Sequence, residues 1–337
     1  MSVCKSIQLR IMHAHFYAIV NQHAGNYRGY KIWQQIQEYM IQKDVRLSVL
    51  LSAYPGAPED LAYDLASSLP DKESDVVVLA FGGDGTLHEV LNGLIEAKRH
   101  FPLPLAYIPA GSGNDFARGA GLKSASHWKQ GLLDLLQTTH AQVINIGSYQ
   151  LQENQPRRFF MNSFGIGFDG SVLKRANQSS YKNLLNHVGL GAISYLIAAV
   201  FTIFQTKGFP AKIHGLDLTK SYAKAYLMIV TNHPYFGGGI KVAPDAKLHE
   251  SNLKFVLFQR HHLGQIIFDM LAIIFGGFQY HMKAVDNTLL THDFTIEVNS
   301  GQTAQVDGKS IDQENYRVHF SKSSYPFWLP ETINKKR

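Results

Sequence analysis

Residues 82–93 read Gly-Gly-Asp-Gly-Thr-Leu-His-Glu-Val-Leu-Asn-Gly and follow directly on the apolar run Val76-Val77-Val78-Leu79-Ala80-Phe81. A strand, a glycine turn and the first turn of a helix are the predicted elements. Gly82, Gly83 and Gly85 around Asp84 let a ligand approach the backbone closely. The free N–H groups at the new helix end, where Thr86 stands, favour a bound phosphate. This chemistry points to a nucleotide.

A second stretch repeats the pattern: Ile108-Pro109-Ala110-Gly111-Ser112-Gly113-Asn114-Asp115-Phe116-Ala117-Arg118-Gly119. Gly111 and Gly113 permit an unusual backbone path, Ser112 can donate to phosphate or ribose oxygens, and Asn114 with Asp115 can orient polar groups at a helix entrance. Either loop alone is compatible with a plain capped turn. Two of them on successive strands favour a site.

The elements that must position these loops are legible as alternating patterns. Apolar runs at Phe16–Val20, Val45–Leu51, Val76–Phe81 and Leu103–Ile108 predict strands, and they alternate with helix-period segments around residues 32–39, 61–69 and 87–95. Such alternation implies a parallel α/β sheet, whose ligands gather at the carboxyl ends of strands. Asn21, Ser52, Gly82–Thr86 and Pro109–Asp115 all emerge at such ends. From about residue 141 the pattern changes to shorter β-like runs, at 143–146, 158–164, 223–231, 253–258, 294–298 and 316–320, which predict a separate β-rich domain.

Composition narrows the partners. The formal charge of +6 over 337 residues is dispersed, apart from a Lys335-Lys336-Arg337 tail. It predicts weak peripheral attraction to an anionic membrane surface, and no nucleic-acid motif accompanies it. A single cysteine, Cys4, and the lack of an N-terminal signal pattern predict a cytoplasmic protein without disulfides. The apolar stretches 188–204 and 263–278 read as buried helices. The first sits at the lower limit for a membrane span, and the second carries Asp269. None of the 16 histidines has zinc-site spacing.

Together with Glu89, Asn92 and Gly93, with Asn162 and residues 165–169, and with Asn232, residues 235–239, Pro244 and Ala246, the two loops resemble the diacylglycerol kinase catalytic-domain family. That family includes bacterial soluble lipid kinases and is related to sphingosine and ceramide kinases. The resemblance runs over almost the whole chain. It implies an N-terminal parallel α/β nucleotide-binding domain related to NAD kinases, over residues 10–141 plus 321–334. It also implies a C-terminal β-sandwich-like lipid-substrate domain over 142–320, with the chain end returning to the first domain. The implied activity is ATP- and Mg2+-dependent transfer of the γ-phosphoryl group to a lipid alcohol such as diacylglycerol, with the lipid entering between the domains. Carried over position by position, Asn21, Ser52, Gly82, Gly83, Asp84, Gly85, Thr86, Gly111, Ser112, Asn114 and Asp115 hold the nucleotide, with Asp84 nearest the chemistry. A homodimer is a further expectation.

Three departures from the family pattern stand out. Asn21-Gln22-His23-Ala24-Gly25-Asn26 lacks the usual proline and basic residue, so a phosphate-facing cation is missing unless Arg28 replaces it. Glu250-Ser251 replaces an Asp-Gly pair whose aspartate serves a magnesium site in relatives, which leaves Glu250 as a candidate metal ligand. Lys309 follows Asp307-Gly308, where relatives place the acidic residue assigned as base. A protonated lysine cannot be that base; it can neutralise phosphate, leaving Asp84 to accept the proton. Two further readings stay open: an NAD-kinase-like kinase of a soluble metabolite, and a catalytically impaired lipid- or nucleotide-binding paralogue.

Overall fold

In a computed structural model the chain forms two compact units, Met1–Ile144 with Ser324–Arg337, and Asn145–Ser323. The sequence reading put the junctions after residues 141 and 320. The structure describes residues 14–25, 28–72, 75–111, 113–167, 208–216, 219–248, 250, 252–260, 262, 264–265, 268–269, 280, 282–299 and 301–330.

Four strands build the first unit: β1 (His15–Asn21), β2 (Arg46–Ser52), β3 (Val76–Gly82) and β4 (Leu105–Pro109). All neighbours are parallel, in the order β4-β3-β1-β2. Their helices are α1 (Arg28–Gln42), α2 (Ala57–Ser68), α3 (Asp84–Glu96), α4 (Asp115–Gly119) and α5 (Trp128–Leu136). Strand β3 is buried at every residue, which is why it reads as a continuous apolar run rather than an alternation. Trp33 of α1 packs 5.2 Å from Phe81 of β3, in a core that also holds Phe16, Ile36, Leu79 and Ile108.

The guanidinium of Arg99 satisfies the carbonyls at the end of α2, donating to Ala66, Leu69 and Pro70 at 2.6, 2.8 and 2.6 Å. The chain end returns to this unit. Trp328 donates its backbone N–H to Leu105 at 2.9 Å and its indole N–H to the Leu135 carbonyl at 3.1 Å.

The second unit is antiparallel and β-rich. Strand β5 (Gln142–Gln150) leads into it, followed by β6 (Arg158–Phe160), β7 (Ser163–Gly167), β8 (Phe209–Gly215), β9 (Thr219–Thr231), β10 (Tyr235–Phe236), β11 (Ile240–Lys241) and β12 (Leu253–Gln259). Then come β13 (Val285–Leu290), β14 (Phe294–Val298), β15 (Thr303–Val306), β16 (Lys309–Asp312) and β17 (Tyr316–Phe327). The order is β16-β15-β7-β9-β8-β14-β17, and β12 joins β9 and carries β13. The long β9 pairs with β8 through its first half and lies between β7 and β12 in its second.

Both faces of that second half are buried, against different cores. Met228 and Val230 face one cluster with Phe164, Phe255 and Phe320, while Leu227 and Ile229 face another with Val256 and Phe258. Period-two alternation thus divides one apolar run between two cores.

The apolar stretch 188–204 lies outside the described residues, as does most of 263–278. Asp269, within the latter, is fully buried and accepts from Tyr226 Oη at 2.9 Å and Gln265 Nε2 at 2.8 Å. The charge that argued against a span is therefore paired within the unit. Among the described residues no helix is long and apolar enough to cross a membrane.

Phe164 lies 5.2 Å from the Phe320 ring and 5.1 Å from Tyr149. Phe164→Ala is expected to cost about 3–5 kcal/mol, read as a lower urea midpoint with an unchanged denaturant slope.

Candidate functional site

Asn21, Ser52, Gly82 and Pro109 end the four parallel strands, with Asn21 beside Ser52 and Gly82 beside Pro109 in register. The glycine loop after β3 and the loop after β4 touch backbone to backbone. A Cβ on Gly111 would stand 2.5 Å from Gly83 Cα, closer than any side chain can come. The approach is bonded across its length. Ala110 N–H donates to the Gly82 carbonyl at 2.6 Å, and Asp115 N–H donates to Asp84 Oδ2 at 2.7 Å. Asp84 opens α3, where Thr86 and Leu87 return their N–H groups to the Gly83 carbonyl at 3.0 and 3.1 Å.

The loop after β1 is tied into the same place. Asn21 Nδ2 donates to Thr86 Oγ1 at 2.9 Å, and Asn21 Oδ1 accepts from His23 N–H at 3.0 Å. The structure thus brings Asn21, Gly82, Gly83, Asp84, Gly85, Thr86, Gly111, Asn114 and Asp115 together within the first unit. Ser52 is buried at the end of β2, and Ser112 lies outside the described residues.

The glycines divide into two kinds. Gly111 is required by the contact between the loops, and at Gly83 a Cβ would stand a tight 3.3 Å from Gly111 Cα. At Gly85 a Cβ would meet nothing within 4 Å, and at Gly113 only Asp84 Oδ2, at 3.7 Å. Among the described residues no neighbour forbids a side chain at these two positions. A glycine inside the first turn of α3 costs roughly 1 kcal/mol against alanine, so its presence fits a loop that leaves room for a ligand such as ATP. Magnesium commonly uses one or two carboxylates together with substrate phosphates. Asp84 fits that role, although no larger metal-binding group of His, Cys, Asp or Glu occurs among the described residues.

Asn114 does not act as a helix cap. Its backbone is left-handed, at φ 52°, and its side chain closes the loop on itself, accepting from Gly111 N–H at 3.1 Å and donating to the Gly111 carbonyl at 2.7 Å. The Asp115 carboxylate accepts from Arg118 Nη1 at 2.8 Å.

Sequence reasoning missed Tyr107. Its buried hydroxyl lies 3.2 Å from both the Gly82 carbonyl and Asn114 Oδ1, joining the two loops from below. Burial, then the carboxylates of Asp84 and Asp115, raise its pKa well above the ordinary tyrosine value. The available signal was a hydroxyl in an otherwise aliphatic strand, since a buried tyrosine needs a partner.

In the second unit a different polar cluster surrounds Asp307. Its carboxylate accepts three backbone N–H groups, from Met161 at 3.0, Asn162 at 2.9 and Ser163 at 3.0 Å. This divides the single strand expected over 158–164 into β6 and β7, because the peptides of Met161 and Asn162 turn toward the carboxylate. His233 is buried beside them. Its Nδ1 accepts from Tyr235 N–H at 3.1 Å, so the proton sits on Nε2, 2.6 Å from Asn162 Oδ1.

Lys309 opens β16 opposite Val306 and is half-buried. Glu250 is exposed and ion-paired with Lys247 at 2.9 Å, a setting that gives no ground for a cation there.

The diacylglycerol kinase catalytic domain model matches residues 15–149, and the YegS C-terminal NAD kinase beta sandwich-like domain model matches residues 162–323. The chain is 28% identical over 314 residues to the "Putative lipid kinase YtlR" of Bacillus subtilis (strain 168), covering 92% of this chain and 98% of that protein. It is 25% identical over 253 residues to the "Probable lipid kinase YegS-like" of Yersinia pestis (strain Pestoides F), covering 75% and 78%. A crystal structure titled as a "putative diacylglycerol kinase" from Bacillus anthracis str. Sterne shares the fold, with a TM-score of 0.71 at 19% identity, over 95% of this chain and 99% of that one.

Two outcomes test this geometry. Gly111→Ala places its Cβ against backbone that cannot yield, and should cost about 1–3 kcal/mol by chemical denaturation. Burial lowers the His233 pKa from 6.5 to about 4, against the smaller opposing pull of Asp307. Between those values the unfolded chain binds more protons, so stability rises with pH across the window and is lost as pH falls through it. The loss is on the order of 3 kcal/mol. Denaturation midpoints from pH 7 to pH 4 should show that slope, and His233→Gln should flatten it.

The chain thus carries a region similar to the diacylglycerol kinase catalytic domain, residues 15–149, followed by one similar to the YegS C-terminal domain, residues 162–323, and its relatives are named as lipid kinases.

Proposed function

We propose that the protein is a magnesium- and ATP-dependent kinase that transfers the γ-phosphoryl group to a lipid hydroxyl, with diacylglycerol the leading acceptor. The observation that carries this reading is the Asp84 carboxylate, anchored by Asp115 N–H at the start of α3 beside Gly85, where an added Cβ would meet no described atom within 4 Å. Phosphoryl transfer needs positioning and charge stabilisation more than covalent chemistry. The positive end of a helix dipole and one fixed carboxylate supply both.

ATP would lie against Gly82–Thr86 and Gly111, with Asn21 and Ser52 at its flank. Magnesium would neutralise phosphate charge. The acceptor oxygen forms its bond to the γ-phosphorus as the bond to the ADP oxygen breaks, and the hydroxyl proton passes to Asp84. Lys309, which stands where relatives place an acidic residue, is not the base in this reading.

The test offers purified protein labelled Mg-ATP with diacylglycerol, sphingosine, ceramide and NAD. Label is expected in a lipid phosphate, and Asp84→Ala should lower the rate by about 10²–10⁴-fold. Label in NADP instead would favour a soluble-metabolite kinase. ATP binding without transfer to any acceptor would leave a binding protein.

A further inference from the structure

Arg118 is the one lysine or arginine among the described side chains of the loops that follow the four parallel strands and of the short helix α4. The loop after β1 carries only His23, the loop after β2 is uncharged, and the loop after β3 carries only Asp84. Among the described side chains of these loops, a nucleotide polyphosphate with up to four negative charges therefore meets two carboxylates, Asp84 and Asp115, and one guanidinium.

Its geometry is that of an anchored fork. Nη1 alone makes the bonds that fix it, to the Asp115 carboxylate at 2.8 Å and to the Gly113 carbonyl. Gly113 is the residue whose added Cβ would lie 3.7 Å from Asp84 Oδ2, and Asp115 is the residue whose N–H bonds that same oxygen. The guanidinium is thus held by the two residues that flank the Asp84 carboxylate. The side chain remains 42% exposed, and Nε and Nη2 make no hydrogen bond to any described residue.

A planar fork held at one corner, with its remaining donors open, is organised for an oxyanion before the oxyanion arrives. Neutralising Asp115 alone would need neither the second bond to Gly113 nor the exposed edge.

We propose that Arg118 contacts the polyphosphate of the bound nucleotide through Nε and Nη2, supplying the cation that the loop after β1 lacks. This rests on the nucleotide site described above, and the experiment separates the two. Calorimetric titration of the full chain uses Mg-ATP and, as a probe without a nucleoside, inorganic tripolyphosphate. Arg118→Gln should weaken both by about 10- to 100-fold, the range for charge-assisted hydrogen bonds. The same loss should appear when the substitution is made in an Asp115→Asn background.

If Arg118 serves only to neutralise Asp115, the loss disappears in that background and the proposal is overturned. Unchanged affinity in the single variant also overturns it. Thermal melting establishes that each variant is folded, and Arg118→Lys, which keeps the charge but not the fork, replaces Arg118→Gln in the same comparison if the latter is not. A wild-type chain that binds neither probe removes the nucleotide site itself, an outcome distinct from failure at Arg118 alone.

Discussion

The contact between Gly83 and Gly111 is the constraint on which the first unit's site depends. Two loops from adjacent strands meet with their backbones in van der Waals contact, which requires glycine at position 111 and leaves little room for a side chain at position 83. Once they meet, the remaining bonds follow: Ala110 to Gly82, Asp115 to Asp84, and Tyr107 to both loops. The loop after β1 joins the same arrangement. Gly25 has φ 58°, and an added Cβ there would stand 2.9 Å from the Ala110 carbonyl. Widening that approach by one methyl group would disturb every polar contact that sets the direction of Asp84.

The second unit meets its own constraint by a different device. A carboxylate buried without partners would be strongly disfavoured, and Asp307 avoids this by drawing three consecutive N–H groups out of the sheet ladder. The left-handed backbone of Asp307, at φ 46°, and of Gly308, at φ 85°, turns the chain from β15 into β16 at that point. Lys309 therefore follows a turn locked from beneath. Its departure from the family's acidic residue is a change of charge at a position whose backbone is strongly held.

The sheet of the first unit was legible because its strands and helices carry clean apolar periods, and β3 announced burial by its unbroken run. Parts of the second unit were not. Strands β8, β13, β15 and β16 have mixed polar patterns, such as Val-Asp-Asn-Thr-Leu-Leu in β13, where Asp286 accepts from Lys220 and Tyr222 across the sheet. Their identity comes from neighbours distant in sequence. The split of 158–164 likewise depends on Asp307, more than 140 residues away.

By itself the sequence marked which loops could carry chemistry, because glycine, aspartate and asparagine at strand ends are local signals. It also carried the resemblance to the diacylglycerol kinase catalytic-domain family, because motifs along the whole chain agree. Tertiary structure decided what each residue does there. It separated the glycines needed for packing from those that leave room, turned Asn114 from a helix cap into a loop clasp, placed Tyr107 beneath both loops, and anchored Arg118 by one nitrogen. Residue types and spacing limit what a side chain can bond. Which partner it meets depends on strands brought side by side by burial elsewhere, and that information is not local to any motif.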